Sequence, residues 1–167
     1  TNTGFACFQP AFSPDGEEIA FLENRTELKV INLKNNKIRT VLDSKYNYSY
    51  TDGDQKYQWS PDGKWFVVNF FEEGGWNRGE DVGVVKADGS GELHNLTKSG
   101  YSNSFGSWVL DGKAITMYSD QYGMRSHGSW GSQNDIYLIF LEQEAYDKFC
   151  MNKEEFALYK EAEEEKN

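Results

Sequence analysis

The 167-residue chain is poor in the residues that build reactive or covalently stapled sites: it has two cysteines and two histidines. Cys7 and Cys150 stand in unrelated contexts at opposite ends, which supports neither a disulfide framework nor a zinc site, and both read as buried or half-buried thiols. His94 and His127 form no metal-ligand spacing. A Gly-x-Ser-x-Gly elbow and a phosphate-binding Gly-Lys-Ser/Thr loop are both missing, so no catalytic residue and no cofactor is assigned. No stretch approaches the ~20 apolar residues of a membrane span. Thr1 to Phe12 lacks the charged start and apolar run of a signal sequence. Basic charge is in deficit, 17 Lys and Arg against 27 Asp and Glu, for a formal charge of −10. That balance argues against a nucleic-acid phosphate backbone as the main partner. Part of the acidity is local, in the solvated stretch Glu161 to Asn167.

Aromatic residues are plentiful, with 11 Phe, 10 Tyr and 5 Trp, and 16 Gly supply turns. Such a composition favours pleated, half-buried surfaces and an all-β chain. A repeat organises them. Phe12-Ser13-Pro14-Asp15-Gly16 is followed by Ile19-Ala20-Phe21, and Trp59-Ser60-Pro61-Asp62-Gly63 by Phe66-Val67-Val68. A degenerate third copy, Trp108-Val109-Leu110-Asp111-Gly112, precedes Ala114-Ile115-Thr116-Met117. The Asp-Gly pairs are 47 and then 49 residues apart, close to the length of a four-stranded propeller blade. In each copy the aromatic anchors the end of a strand and is expected to be buried. Proline presets φ, aspartate bonds nearby backbone, and glycine accepts positive φ, so the motif is a hairpin turn.

Strands are expected at Ile19 to Glu23, Leu28 to Leu33, Ile38 to Leu42, Trp65 to Phe71, Val82 to Val85, Leu93 to Thr97, Ala114 to Ser119 and Ile136 to Leu141. The reading is therefore an all-β β-propeller fragment of about three four-stranded blades, the last incomplete, with a C-terminal helix. Residues 1–141 form the partial propeller, with blades at about 5–42, 55–97 and 103–141, and residues 142–167 a helical exit segment or linker. There Asn152 and Glu155 have capping-box spacing. Phe156 and Tyr159 share one face, as do Ala145 and Phe149, and Lys160 and Lys166 suit the helix dipole. The third unit supplies three strands, which implies an outer strand borrowed from upstream of Thr1 and open blade faces. Self-association into a six-blade ring, or marginal stability alone, is the expected consequence.

If strands alternate within each blade, the Asp-Gly turns share one face with Asn35-Asn36 and Asp88-Gly89. The other face collects the long segments Asp43 to Asp54, Glu72 to Asp81, Lys98 to Asn103 and Ser119 to Asn134. Aromatic and Arg side chains of the kind that anchor interfaces concentrate there. The candidate ligand- or partner-binding residues are Tyr48, Trp76, Arg78, Tyr122, Arg125, His127 and Trp130; no metal ligands are assigned. His94 reads as an exposed strand residue. The acceptor-like triplets at Asn24, Asn47 and Asn95 are given no function.

The copies Phe12 to Phe21 and Trp59 to Val68 resemble the repeats of TolB-like and WD40-like propellers, also found in tricorn-type and dipeptidyl-peptidase proteins. The exit from Asp135 through Glu144 to Phe149 looks like that of large tricorn-like serine peptidases. The resemblance implies a non-catalytic recognition or gating module that binds peptide or protein through the long-loop face. In that family the reacting serine and histidine lie in later domains, and none of those positions has a counterpart here. The alternatives are a stand-alone TolB-like interaction scaffold and a propeller lyase acting on acidic sugars, the latter disfavoured by the two histidines. The implied partners are peptide or protein and the remaining blades and downstream domains of a parent chain. A periplasmic or exported setting rests on the resemblance alone.

Overall fold

Each Asp-Gly repeat reverses the chain by the same hydrogen bonds. In the computed structural model, which describes residues 4–51, 53–72, 79–124 and 131–165, the Ser13 hydroxyl donates to Asp15 (2.6 Å) and accepts from the Glu18 N–H (2.9 Å). Ser60 does the same with Asp62 (2.6 Å) and Trp65 (2.9 Å). The serine hydroxyl first, and then a backbone N–H, hold both carboxyls below the ordinary aspartate value. Gly16 and Gly63 complete the turns at φ 72° and 70°. In the third copy Val109 has no hydroxyl and Leu110 replaces the proline that would lock φ near −65°. Leu110, Asp111 and Gly112 instead take φ of 51°, 54° and 87°, a left-handed turn that still returns the chain.

Three antiparallel meanders result. The first sheet is β1 (Cys7–Phe12), β2 (Glu18–Glu23), β3 (Glu27–Asn32) and β4 (Ile38–Leu42). The second is β5 (Tyr57–Trp59), β6 (Trp65–Phe70), β7 (Asp81–Lys86) and β8 (His94–Asn95), and the third β9 (Asn103–Val109), β10 (Ala114–Ser119) and β11 (Asp135–Phe140). The expected strands lie within a residue of these bounds except at β8, expected over Leu93 to Thr97. There the Asn95 carboxamide accepts from the backbone N–H groups of Thr97 (2.9 Å) and Lys98 (3.1 Å), a local turn that outcompetes the ladder.

The sheets pack face to face as successive blades, and β6 is buried on both faces. Phe66, Val68 and Phe70 point at Ala20, Leu22, Leu28 and Val30 of the first blade. Val67, alternating with them, joins Val82 against Ile115 and Met117 of the third. One hydrogen bond recurs at both contacts: the Trp59 indole donates to the Ala11 carbonyl and the Trp108 indole to the Gln58 carbonyl, each at 3.2 Å. Trp59 is buried and Trp108 half-buried. Phe12, expected to match them, is 66% exposed, because its face of the first blade has no blade against it. Both cysteines are free and exposed rather than buried.

The C-terminus folds as two helices, α1 (Gln143–Cys150) and α2 (Lys153–Glu164). Asn152 and Glu155 form the capping box. Ala145 is buried and Phe156 and Tyr159 are half-buried, whereas Phe149 is 58% exposed yet stacks on Phe140 with ring centroids 5.2 Å apart. Lys160 lies outside the last turn, its ammonium over the Phe156 ring at 4.9 Å. Among the described residues no helix is long and apolar enough to cross a membrane.

Candidate functional site

The first strands of the three blades lie side by side and carry an unusual backbone feature. Gln9 in β1 and Phe105 in β9 adopt φ of 50° and 56°. Each sits in a bulge, between Phe8 and Ala11 in one ladder and between Ser104 and Ser107 in the other. Left-handed backbone costs a non-glycine residue about 1–2 kcal/mol, and a bulge re-aims the side chain it carries. Gln9, Lys56 and Phe105 each stand six residues before their Asp-Gly aspartate, one position in three blades. The Tyr57 hydroxyl donates to the Gln9 carbonyl, with the Ala20 carbonyl 3.3 Å away, and burial pushes this phenol up from its ordinary value.

Their side chains meet across the blades. Gln9 Nε2 donates to the Gln55 carbonyl at 2.9 Å, and buried Gln55 donates through its own amide to the Tyr48 carbonyl at 2.5 Å. The Lys56 ammonium lies 5.8 Å from the centre of the Phe105 ring, which packs edge-on against Tyr118. Beneath them buried Asn69 accepts from the Gly106 N–H (3.3 Å) and donates to Glu80 (3.0 Å). Burial pushes the Glu80 carboxyl up, opposed by the Asn69 bond and by Lys56. Asp81 ties the second and third blades together, accepting from Thr97, Asn95 and Asn103.

This rim differs from the one bearing the Asp-Gly turns. Turns of successive blades touch there: a Cβ on Gly112 would crowd Pro61 at 3.3 Å, and one on Gly63 would make an ordinary contact with Pro14 at 3.5 Å. The long-loop rim carries Tyr48 (49% exposed), Tyr50 (82%), Tyr122 (77%) and Met124 (74%). Of the sequence candidates, Tyr48 lies on the segment between the first two sheets, where its carbonyl accepts from Gln55. Tyr122 belongs to the third blade; the Tyr137 phenol is raised by desolvation first, then by charge from Asp135 and Tyr122. Trp76, Arg78, Arg125, His127 and Trp130 lie outside the described residues. Tyr46, on the same loops, is instead half-buried, edge-on to Phe70. His94 sits exposed on β8 with its ring 6.3 Å from Trp65. Among the described residues no group of three His, Cys, Asp or Glu side chains is placed to hold a metal ion.

Sequence reasoning missed Gln9, Lys56 and Phe105. The signal was available, since extending the repeat six residues upstream of each Asp-Gly aligns them, but nothing in the local sequence announces a bulge. What the arrangement offers is a polar amide, a cation and an exposed aromatic face, held between packed blades.

No protein-family model and no curated protein matches this sequence. Solved structures do match its shape. The crystal structure of the tricorn protease aligns at a TM-score of 0.59 and 13% identity, covering 81% of this chain and 14% of that one. The acylaminoacyl peptidase of Pyrococcus horikoshii aligns at 0.51 and 22% identity, covering 80% and 23%. The Cps50 (Swd1) β-propeller domain of Myceliophteria thermophila aligns at 0.43 and 11% identity, covering 82% and 40%. The chain thus spans less than a quarter of either peptidase it matches, and the first two likenesses show the fold, a β-propeller made of meander blades.

Proposed function

We propose that this propeller module is a non-catalytic recognition or gating element that holds peptide or protein segments on its long-loop rim. The observation that carries the reading is the alignment of Gln9, Lys56 and Phe105 at one position of three blades, two of them on strained bulges, with Tyr48, Tyr50 and Tyr122 exposed on the long segments between strands. Strain kept at matching places is a feature of sites rather than of scaffolding. A bound segment would lay side chains on the Phe105 and Tyr122 rings while Gln9 and Lys56 meet its carbonyls or carboxylates. Trp76, Arg78, Arg125, His127 and Trp130 join this proposal on sequence grounds. The two matched propellers belong to proteins named as a protease and a peptidase. By that likeness the segment held is a peptide, delivered to a peptidase domain of a larger parent protein.

The test is anisotropy titration of the chain with a fluorescently labelled pool of unstructured peptides. Phe105→Ala combined with Tyr122→Ala should weaken binding about tenfold, the effect of losing an interface anchor worth over 1 kcal/mol. Leu158→Ala, on the distant α2, should leave it unchanged. Absence of peptide binding, or equal loss in both variants, refutes the reading.

A further inference from the structure

The two junctions between the blades share one plan and differ in what bridges them on the Asp-Gly rim. At the first, Arg39 of β4 reaches across to the second blade: its Nε donates to the Ala87 carbonyl at 2.8 Å, while Nη1 and Nη2 donate to the Glu18 carboxylate at 2.6 and 2.5 Å. Val30, the ladder partner of Arg39, and Trp59 are both buried there. At the second junction His94 stands in the place of Arg39, paired with Val84 as Arg39 is with Val30. Trp65 stands in the place of Glu18, each three residues past the aspartate of its repeat. The receiving carbonyl has a counterpart too: the Leu141 N–H donates to the Lys113 carbonyl (2.9 Å) as the Ala87 N–H does to that of Lys64 (2.8 Å), so Leu141 holds the position of Ala87. The shorter imidazole of His94 stays exposed beside Trp65, ring centroids 6.3 Å apart. Where a counterpart of the Arg39 side chain would lie, an open cleft of about 430 Å³ runs down to Val84 and Trp108, both half-buried.

The charge of the two clefts changes in the matching sense. The first is lined by Arg39, Lys64 and Lys86 against Glu18 and Asp88, the second by Asp62, Asp111 and Glu142 against Lys113 alone. Its indole wall also draws cations, since the Lys86 ammonium lies 5.9 Å from the centre of the Trp65 ring. We infer that the cleft between the second and third blades binds the guanidinium of an arginine carried by a peptide or protein segment, which takes from another chain the place that Arg39 fills from its own. Stacking on Trp65 and donation to the Leu141 carbonyl are the contacts that the first junction prescribes. A guanidinium suits them better than an ammonium, because its plane lies flat on an indole and its fork of N–H groups reaches a carbonyl and a carboxylate together. This cleft is on the rim opposite Gln9, Lys56 and Phe105, so the inference is independent of the site proposed there.

The full chain is titrated with Nα-acetyl-arginine amide and followed by the indole N–H signals in heteronuclear NMR. The Trp65 and Trp108 signals should move together and saturate in the millimolar range of a single side chain, while that of Trp59, at the junction Arg39 already bridges, stays in place. The citrulline counterpart, of the same shape without the charge, and the lysine counterpart should each bind about tenfold more weakly. His94→Arg supplies the side chain from within and should abolish the titration with the far-UV circular dichroism unchanged, whereas His94→Gln should bind as wild type does. The inference is overturned by no saturable movement of the two indoles, by equal binding of the citrulline or lysine compound, or by undiminished binding to His94→Arg. Tighter binding of free arginine than of its blocked amide overturns the assignment to a polypeptide.

Discussion

The indole hydrogen bond that repeats between blades permits a graded test at three equivalent positions. Trp59 is buried, its ring centroid is 4.1 Å from that of Phe66, and its N–H donates to a partly buried carbonyl of Ala11. Trp59→Phe deletes the donor, so that a carbonyl paired with Ala20 in the ladder loses its side-chain hydrogen bond at about 1.5 kcal/mol, and the smaller ring opens space between the first two blades for about 1 kcal/mol more. Trp108→Phe removes the same bond, but the Gln58 carbonyl belongs to an exposed residue and water can replace the donor, so the cost falls to about 1 kcal/mol. Phe12→Ala, at 66% exposure, should stay within about 0.5 kcal/mol. Urea denaturation followed by far-UV circular dichroism avoids the loss of tryptophan fluorescence. Equal costs at the two tryptophans would refute the argument that burial of the acceptor decides the energy. A cost at Phe12 matching that at Trp59 would refute the assignment of an open face.

Three further outcomes follow from particular contacts. Gly106→Ala would place a Cβ 2.7 Å from Val82 and 2.8 Å from Val67, so denaturant midpoints should report a loss of about 1–3 kcal/mol from overpacking between the second and third blades. Glu80 has a folded-state value raised by burial, so it lowers stability as pH climbs above its ordinary 4.5 and the penalty persists at neutral pH. Glu80→Gln should accordingly be more stable than wild type near neutrality, and the difference should vanish in acid; a gain that is the same at every pH would count against the burial argument. Asp62 is depressed, so its contribution is present above its ordinary 3.8 and is lost as pH falls through the folded value. Ser60→Ala removes the main cause of that depression and should flatten the acid limb of the stability profile while costing about 1–2 kcal/mol at neutral pH.

The turns and strands were legible because their signals are local. Ser-Pro-Asp-Gly encodes a hairpin whatever surrounds it, and the unbroken apolar run Phe66-Val67-Val68 encodes a strand buried on both faces. Burial at Phe12 was misjudged for the converse reason: an aromatic side chain states what it can bury, while its surroundings depend on whether another sheet stands against it. β8 was read too long because Asn95 can bond its own backbone, a choice made by geometry and not by hydropathy. On the candidate rim, Tyr48 and Tyr122 were picked out by composition, and both are exposed. Gln9, Lys56 and Phe105 gain their meaning only from a backbone that turns left-handed in the middle of a strand.

The two-sided burial of β6 sets an order in which this molecule opens. Its even-numbered side chains, Phe66, Val68 and Phe70, lock the first two blades through a broad core, while on the other side Val67 meets a narrower one built around Val82, Ile115 and Met117. Partial unfolding that releases the third blade with α1 and α2 exposes less apolar surface than release of the first, so it is the lower-energy excursion. Backbone amides in β9 to β11 should then exchange with solvent deuterium through this opening, while those of β2, β3 and β6 wait for global unfolding. A protease added to the native protein would take the same route, clipping the last blade first and leaving the first two as a resistant remnant.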